Sequence, residues 1–420
     1  MPAHFDTLEL RDPAVRERDL FLHRLPAQVA HAKAQAPAYA KLLASVDPAS
    51  VVTRVALATL PVTRKSELLE LQKANRPFGG FAAAGWGAHA NRAQRVFASP
   101  GPLYEPETTR PDYWRLARAL VAAGFEAGDL LHNTFSYHFT PAGSMVETAA
   151  LALGCTVFPA GTGQTEMQVQ AIAELAPDGY VGTPSFLKII LDKADEIGAD
   201  VSSLTKALVS GEAFPPSLRD ALAARGIDGY QVYASADLGC IAYESVARSG
   251  LVVDEGVIVE IVRPGTGDPV AAGEVGEVVV TTLNPDYPLL RFGTGDLSAV
   301  LPESMTIPSP CGRTNVRLKG WLGRADQTTK VKGMFVHPSQ IAEIIRRHPE
   351  LLKARMIVDN AEGGDRMTLH CETRAEAGAL VAAISGSIRD VTKLRGEVAL
   401  YGPGTLANDG KVIDDIRKYD

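Results

Sequence analysis

Cysteine is scarce: four residues in 420 (Cys155, Cys240, Cys311 and Cys371), far apart and without a C-x-x-C pair. A disulfide framework is therefore not expected, and a reducing cytosol is the simplest setting. Long apolar runs are lacking too. The longest, around Ala149–Ala160, is too short to span a bilayer and is broken by Gly154, so membrane insertion is not expected. The opening MPAHFDTLELRD carries acidic residues and no apolar core, which predicts no signal peptide. Positive charge is not in excess. With 42 Lys and Arg against 49 Asp and Glu, the formal net charge is −7, leaving no basic footprint for nucleic acid and no polybasic membrane patch. Internal repeats and low-complexity tracts are absent. What remains is 46% hydrophobic and 22% charged, the composition of an ordinary globular enzyme. A single core stops growing at roughly 250–300 residues, so a chain of 420 predicts two or more lobes.

Helical spacing of Leu22, Leu25, Val29, Ala32 and Ala36 predicts a helix from Asp19 to about Ser45. A break at Pro61 is followed by a restart with Ser66 as N-cap. Between about Tyr113 and Ser210, helical segments (WRLARALVAAG, FLKIILDKADEIG) alternate with short apolar runs (LLHNTF, CTVFPA, GYVGT, KALVSG). That alternation argues for an α/β fold with a mainly parallel sheet. From about Leu251 the texture is β-rich, with Gly, Pro and Asp turns that suggest antiparallel strands. After Gly323 it changes again. A strand, turn and amphipathic helix (KVKGMFVHPSQIAEIIRRHP) lead to a strand pair (KARMIVDN, RMTLHCET), a helix near Ala375–Thr392 and a strand at Glu397–Tyr401. This predicts a large N-terminal domain over 1–323, β-rich over about 251–323, and a small α+β C-terminal domain over 326–420.

Three Gly-containing turns, each read as following a strand, carry one carboxylate apiece: Val209–Ala213 with Glu212, Tyr233–Gly239 with Asp237, and Arg291–Leu297 with Asp296. Backbone amides bind phosphate oxygens, and a carboxylate accepts from ribose hydroxyls or holds Mg²⁺. One such turn is ordinarily an Asp or Ser capping a loop. Three in this order resemble the acyl-adenylate-forming superfamily, and in detail its phenylacetate–CoA ligase branch. VSGEAF is similar to the family's adenine-side loop, which implies nucleotide contacts from Gly211, Glu212 and Ala213. YASADLG stands where the family has Y-G-x-[ST]-E-x-G. The resemblance therefore implies that Tyr233 flanks the adenine, that Ala234, Ser235 and Ala236 line the nucleotide, and that Asp237 replaces the Mg²⁺-associated Glu. LLRFGTGDL looks like R-x-x-T-G-D-L, implying that Asp296 binds the ribose. GRADQTTKVKG fits G-R-x-D-D-x-x-K-x-x-G, implying a nucleotide contact from Arg324 and a hinge at Asp326. GMFVHPSQIAEII is close to the branch's own continuation.

The likeness spans nearly the whole chain. LPVTRKSEL, RPFGGFAA and LGCTVFPAGTGQTEMQVQAI resemble further branch motifs, and Lys411 after Gly410 matches the family's C-terminal catalytic lysine. The implied activity is ATP-dependent conversion of an aromatic or similar small acid to acyl-AMP, then thioester formation with CoA, with Mg²⁺ as cofactor. A family-like acyl pocket falls at Phe135, Tyr137, His138 and Phe139. The same likeness implies a homodimer and a hinged C-terminal domain that carries Lys411 in and out. Two other readings stay open: a degenerate relative that binds nucleotide, acyl-adenylate or CoA ester without turnover, and adenylation with transfer to a carrier-protein thiol or an amine.

Departures from the pattern are specific. FASPGPLYEPE (Phe97–Glu107) stands where the family has the phosphate loop S-S-G-T-T-G-K-P. Ser99 and Gly101 remain as nucleotide-binding candidates. The prolines remove amide donors, and Glu105 and Glu107 would repel phosphate. Where some relatives hold zinc on Cys and His, this chain reads Glu244–Ser245, Gly250–Leu251–Val252 and Ser309–Pro310–Cys311, so a four-ligand zinc site is not expected.

Overall fold

The computed structural model describes residues 4–417 apart from 88–90, 100–102, 326, 328, 333, 361–364, 377 and 410. Its largest element is an eight-stranded sheet ordered Arg317–Leu318, Leu251–Val253, Gly239–Tyr243, Asp228–Ser235, Lys206–Val209, Gly179–Gly182, Leu130–Asn133, Thr156–Phe158. The last five strands in that order are parallel. The first three pair antiparallel with one another and with the Asp228–Ser235 edge. Parallel strands need crossovers, and helices such as Ala142–Leu153, Thr165–Leu175, Pro184–Ile197 and Pro216–Ala223 supply them. Strands covered on both faces read as continuous apolar runs, which is how KALV and GYVG look in the sequence. Trp114, Leu120, Phe125, Leu131, Val146, Val181, Leu208 and Val232 form one buried cluster against this sheet, each large side chain contributing about 1.5–3 kcal/mol by burial.

Contact clustering divides the chain into two compact units. The first comprises residues 1–259, 280–292 and 300–320; the second comprises 260–279, 293–299 and 321–420. In the second, a four-stranded sheet ordered Glu397–Tyr401, Arg366–Thr373, Leu351–Asp359, Ile413–Asp415 packs with helices Pro338–Arg347 and Gly378–Thr392. Ile341, Ile344, Met356, Leu369, Ile384 and Ile388 are buried together there. On the helix Pro338–Arg347 the spacing of Ile341 and Ile344 sends the apolar stripe inward. Arg346 and Arg347 pair with Glu343 on its outer side. A further four-stranded sheet has the order Thr63–Arg64, Phe292–Ser298, Gly276–Thr282, Val257–Val262.

Two local expectations need correction, and one strand carried no signal in the sequence. Ser66 is not an N-cap: the helix runs Lys65–Ala74, and Glu67 Oε2 accepts from the Arg64 N–H at 3.0 Å, so the cap lies two residues earlier. The segment Arg291–Leu297 is not a turn after a strand, because Phe292–Ser298 is itself a strand and its glycines sit inside the ladder. Ile413–Asp415, unassigned from sequence, pairs in parallel with Leu351–Asp359; three residues are too few for a period. Among the described residues no helix is long and apolar enough to cross a membrane.

Candidate functional site

An apolar cavity of about 140 Å³ opens in the first unit at the carboxyl edge of the parallel strands. Phe135, Met145, Val146 and Val181 line it, together with Gly211, Ala234, Ser235 and Ala236. No charged side chain is among its described lining residues. The edge is where an α/β sheet presents ligands, since the loops after neighbouring strands diverge there. Gly211 holds φ +85°, and the nearest atom to a side chain there would be Thr183 Cγ2 at 3.6 Å. Phe135 thus lines the cavity. Tyr137 lies against Gly143 and its hydroxyl accepts from Asn133 Nδ2 at 2.8 Å. His138 and Phe139 face solvent.

Next to Ala236 stands Asp237, buried at the turn between strands Asp228–Ser235 and Gly239–Tyr243. Gly239 is forced at that turn: its φ is +73°, and a Cβ would lie 2.5 Å from the Trp114 carbonyl oxygen. Asp237 Oδ2 accepts from Lys65 Nζ at 2.8 Å, while Oδ1 is buried with no hydrogen-bond partner. Lys65 was met in the sequence only as part of a motif. It is one-third exposed.

The altered phosphate-loop segment folds as a hairpin, Arg95–Ser99 against Leu103–Glu107. Gln72 fixes it from the side: its carbonyl accepts from Tyr104 N at 2.8 Å and its amide donates to Tyr104 O at 3.0 Å. The expectation that Glu105 and Glu107 face and repel phosphate is corrected here. Both lie on the inward face and are fully buried. Glu107 accepts from Arg95, from Trp114 Nε1 at 2.6 Å and from Ser144 Oγ at 2.7 Å. Glu105 Oε1 accepts from Ser99 Oγ at 2.7 Å, and Oε2 has no partner. Burial first, and the charge of Asp237 second, push the Glu105 carboxyl up to about 9. Ser99 is therefore buried as a prop for Glu105, and Gly101 lies outside the described residues.

Asp296, Arg324 and Lys411 belong to the second unit. Asp296 Oδ1 accepts from Arg324 at 2.8 Å and from the indole N–H of Trp321 at 3.1 Å. Gly295, at φ +72°, lets the Arg324 guanidinium approach: a Cβ there would be 2.8 Å from its nitrogen. Trp321 is half exposed, and a lone exposed indole was the signal that sequence reading passed over. Lys411 Nζ donates to Asp414 at 2.8 Å, and its main-chain N–H donates to Asp409 at 3.1 Å. The hinge position Asp326 lies outside the described residues, as does Gly410.

The remaining candidates fall in the first unit. Glu212 Oε1 accepts from Ser185 N at 2.6 Å, at the start of helix Pro184–Ile197, and Ala213 is exposed. Tyr233 is half-buried on its strand. Ser245 and Ser309 hydroxyls each lie 3.2 Å from Cys311 Sγ. Among the described residues no group of three or more His, Cys, Asp or Glu is arranged to hold a metal.

Comparison with known proteins adds names to this geometry. The AMP-binding enzyme family profile matches residues 112–284. A phenylacetate–coenzyme A ligase of Aromatoleum evansii is 32% identical over 378 residues, covering 86% of this chain and 82% of that protein. One from Thermus thermophilus is also 32% identical, covering 84% and 80%. In fold, the chain is similar to 2-hydroxyisobutyryl-CoA ligase in its postadenylation state with 2-HIB-AMP (TM-score 0.71, 22% identity, 99% of this chain and 94% of that one).

Proposed function

Because the chain belongs to the phenylacetate–coenzyme A ligase family of AMP-binding enzymes, we propose that it converts a small monocyclic carboxylic acid to its CoA thioester through an acyl-adenylate. The observation that carries this reading is the 140 Å³ apolar cavity bordered by Gly211 and the Ala234–Ala236 segment. A cavity of about 150 Å³ lined by apolar groups holds one benzene ring. Uncharged walls favour an acid whose only charge is its carboxylate, since burying an unpaired second charge costs several kcal/mol. The family likeness assigns nucleotide contacts to Gly211 and the Ala234–Ala236 segment, and their presence in the cavity lining supports an acyl group bound next to the nucleotide.

Carboxylates are poor acyl donors because oxide would have to leave. In the first step the carboxylate oxygen attacks the α-phosphorus of ATP and pyrophosphate departs; in the second, the CoA thiolate attacks the acyl carbon and AMP departs. The first transition state gathers negative charge on phosphate oxygens, so positioned cations matter more than a strong base. Lys411 is the proposed cation on the carboxylate and α-phosphate. Asp296, already an acceptor for two donors, takes the ribose hydroxyls, with Arg324 on the ribose–phosphate side. Lys65, beside Asp237 and partly exposed, offers a positive charge toward phosphate that the hairpin no longer supplies through amides. Residues 326–420 act as a mobile domain hinged at Asp326, carrying Lys411 away before thioester formation.

Mg²⁺ fits the residues present, because Asp237 Oδ1 is an unpartnered acceptor and this ion uses one or two carboxylates together with substrate phosphates. When bound, it supplies neutralisation of the triphosphate charge. Four buried free cysteines support a reducing, cytosolic setting, and the family likeness supports a homodimer.

The test is acid-dependent exchange of pyrophosphate into ATP across a panel of ring and short-chain acids, with CoA consumption followed in parallel. Exchange strongest with single-ring acids, and CoA consumed in step, is expected. No exchange with any acid sinks the reading, and acyl-hydroxamate formed with hydroxylamine while CoA stays unconsumed would show transfer to another acceptor. Lys411→Ala is expected to slow acyl-AMP formation by roughly 10²–10³-fold while AMP still binds.

A further inference from the structure

Strand Leu130–Asn133 ends on Asn133, a polar residue that is 0% exposed. Residues 134–141 then lead to helix Ala142–Leu153, and Phe135, Thr140, Pro141 and Ala142 line the apolar cavity. Asn133 holds this connection at three points. Its Oδ1 accepts from the Phe135 N–H at 3.2 Å, while Nδ2 donates to the Tyr137 hydroxyl at 2.8 Å and to the Gly143 carbonyl at 3.0 Å. The first of these bonds alone would be an ordinary turn closed by a short amide side chain. The other two reach the middle and the far end of the segment, and together they use both amide hydrogens and the carbonyl of one side chain. Gly143 tightens the closure from the helix side. Its N–H donates to the Ser136 carbonyl at 3.0 Å, and a Cβ there would lie 2.9 Å from that oxygen and from the Tyr137 ring.

We propose that Asn133 is a positioning residue for the acyl acid: by pinning Phe135 and the Thr140–Ala142 wall, it sets the width of the cavity and the preference for a single ring. The inference rests on the acid-binding reading above and deepens it. Asn133 is not among the cavity's described lining residues, so it acts through Phe135 and the wall that it holds. Its chemistry is not shared by residues of similar size. Asp keeps an acceptor for the Phe135 N–H and loses both donors; Leu has the same bulk and loses all three bonds. Either change frees the segment at Gly143. In a cavity of about 140 Å³, a wall displaced by about 1 Å alters which rings fit and how the carboxylate is aimed.

Benzoate, phenylacetate and the two-ring acid 2-naphthoate are the probes. Their binding to the full-length protein is followed by saturation-transfer NMR, and pyrophosphate exchange is measured with the same acids, for wild type, Asn133→Leu, Asn133→Asp and Tyr137→Phe. Asn133→Leu is expected to weaken single-ring acids and raise their KM by roughly tenfold, with the KM for ATP within about twofold. The preference for one ring over two should shrink as well. Tyr137→Phe removes one of the three bonds, should shift the same quantities by about threefold, and serves as the test if the Asn133 variants do not fold. A merely structural role would lower the unfolding midpoint and the amount of active protein while leaving the acid KM and the ratio between acids as in wild type; that result overturns the proposal. Wild type that binds ring acids but exchanges no pyrophosphate would instead remove the adenylation reading, and weaker binding by the Asn133 variants would still uphold the positioning role. Wild type that neither binds these acids nor exchanges with them overturns both.

Discussion

Glu105 and Glu107 share one strand and one face, two residues apart, and both are fully buried. Glu107 meets a guanidinium, an indole N–H and a hydroxyl, so each of its oxygens is used. Glu105 Oε1 meets the Ser99 hydroxyl, and its second oxygen is buried with no hydrogen-bond partner. The difference teaches how to separate a structural acid from a functional one. Burial does not distinguish them; the count of donors does. A carboxylate matched by donors ties elements together, and one left short of donors holds a proton or awaits a cation.

The largest effect that would test this contrast is on stability. Glu107→Ala leaves the Trp114 N–H and the Ser144 hydroxyl without their acceptor in a dry interior, and is expected to destabilise the fold by roughly 3 kcal/mol in denaturant unfolding. A loss below about 1 kcal/mol would mean the pairing matters little.

Glu105 should respond to pH instead. Folded, its carboxyl keeps the proton up to about 9; unfolded, it releases it near 4.5. Between those values the folded state binds more protons, so this contribution is complete below the unfolded value and is lost as pH rises through the folded one. Unfolding in EDTA across that window should show wild type losing stability toward the alkaline end, and Glu105→Gln should flatten the slope. Parallel slopes for the two proteins would erase the contrast.

Smaller effects refine it. Ser99→Ala removes the hydroxyl donor to Glu105 and should cost about 1 kcal/mol, measured near neutral pH. Arg95→Ala should cost less still, within about 1 kcal/mol, because Arg95 is 42% exposed and water replaces much of what it loses. If Arg95→Ala proves as damaging as Glu107→Ala, charge rather than donor count governs the inner face.

Much of the fold was legible in the chain. Apolar runs at Leu130–Asn133, Gly179–Gly182 and Lys206–Val209, alternating with helical periods, gave the parallel sheet. The strand pair Leu351–Asp359 and Arg366–Thr373 was equally plain. Family motifs singled out Asp237, Asp296, Arg324 and Lys411. Lys65 and Trp321 were not singled out, because an ion pair across 172 positions and an indole donating across 25 leave no local period.

The sequence by itself determined the order of elements, the family and the loss of the phosphate loop's usual residues, since these depend on local pattern and composition. Tertiary structure alone decided what replaced that loop. A strand alternates its faces, but nothing within it says which face meets the core. Only the packed chain turns Glu105 and Glu107 inward, surrounds one with donors and leaves the other with an unpartnered oxygen.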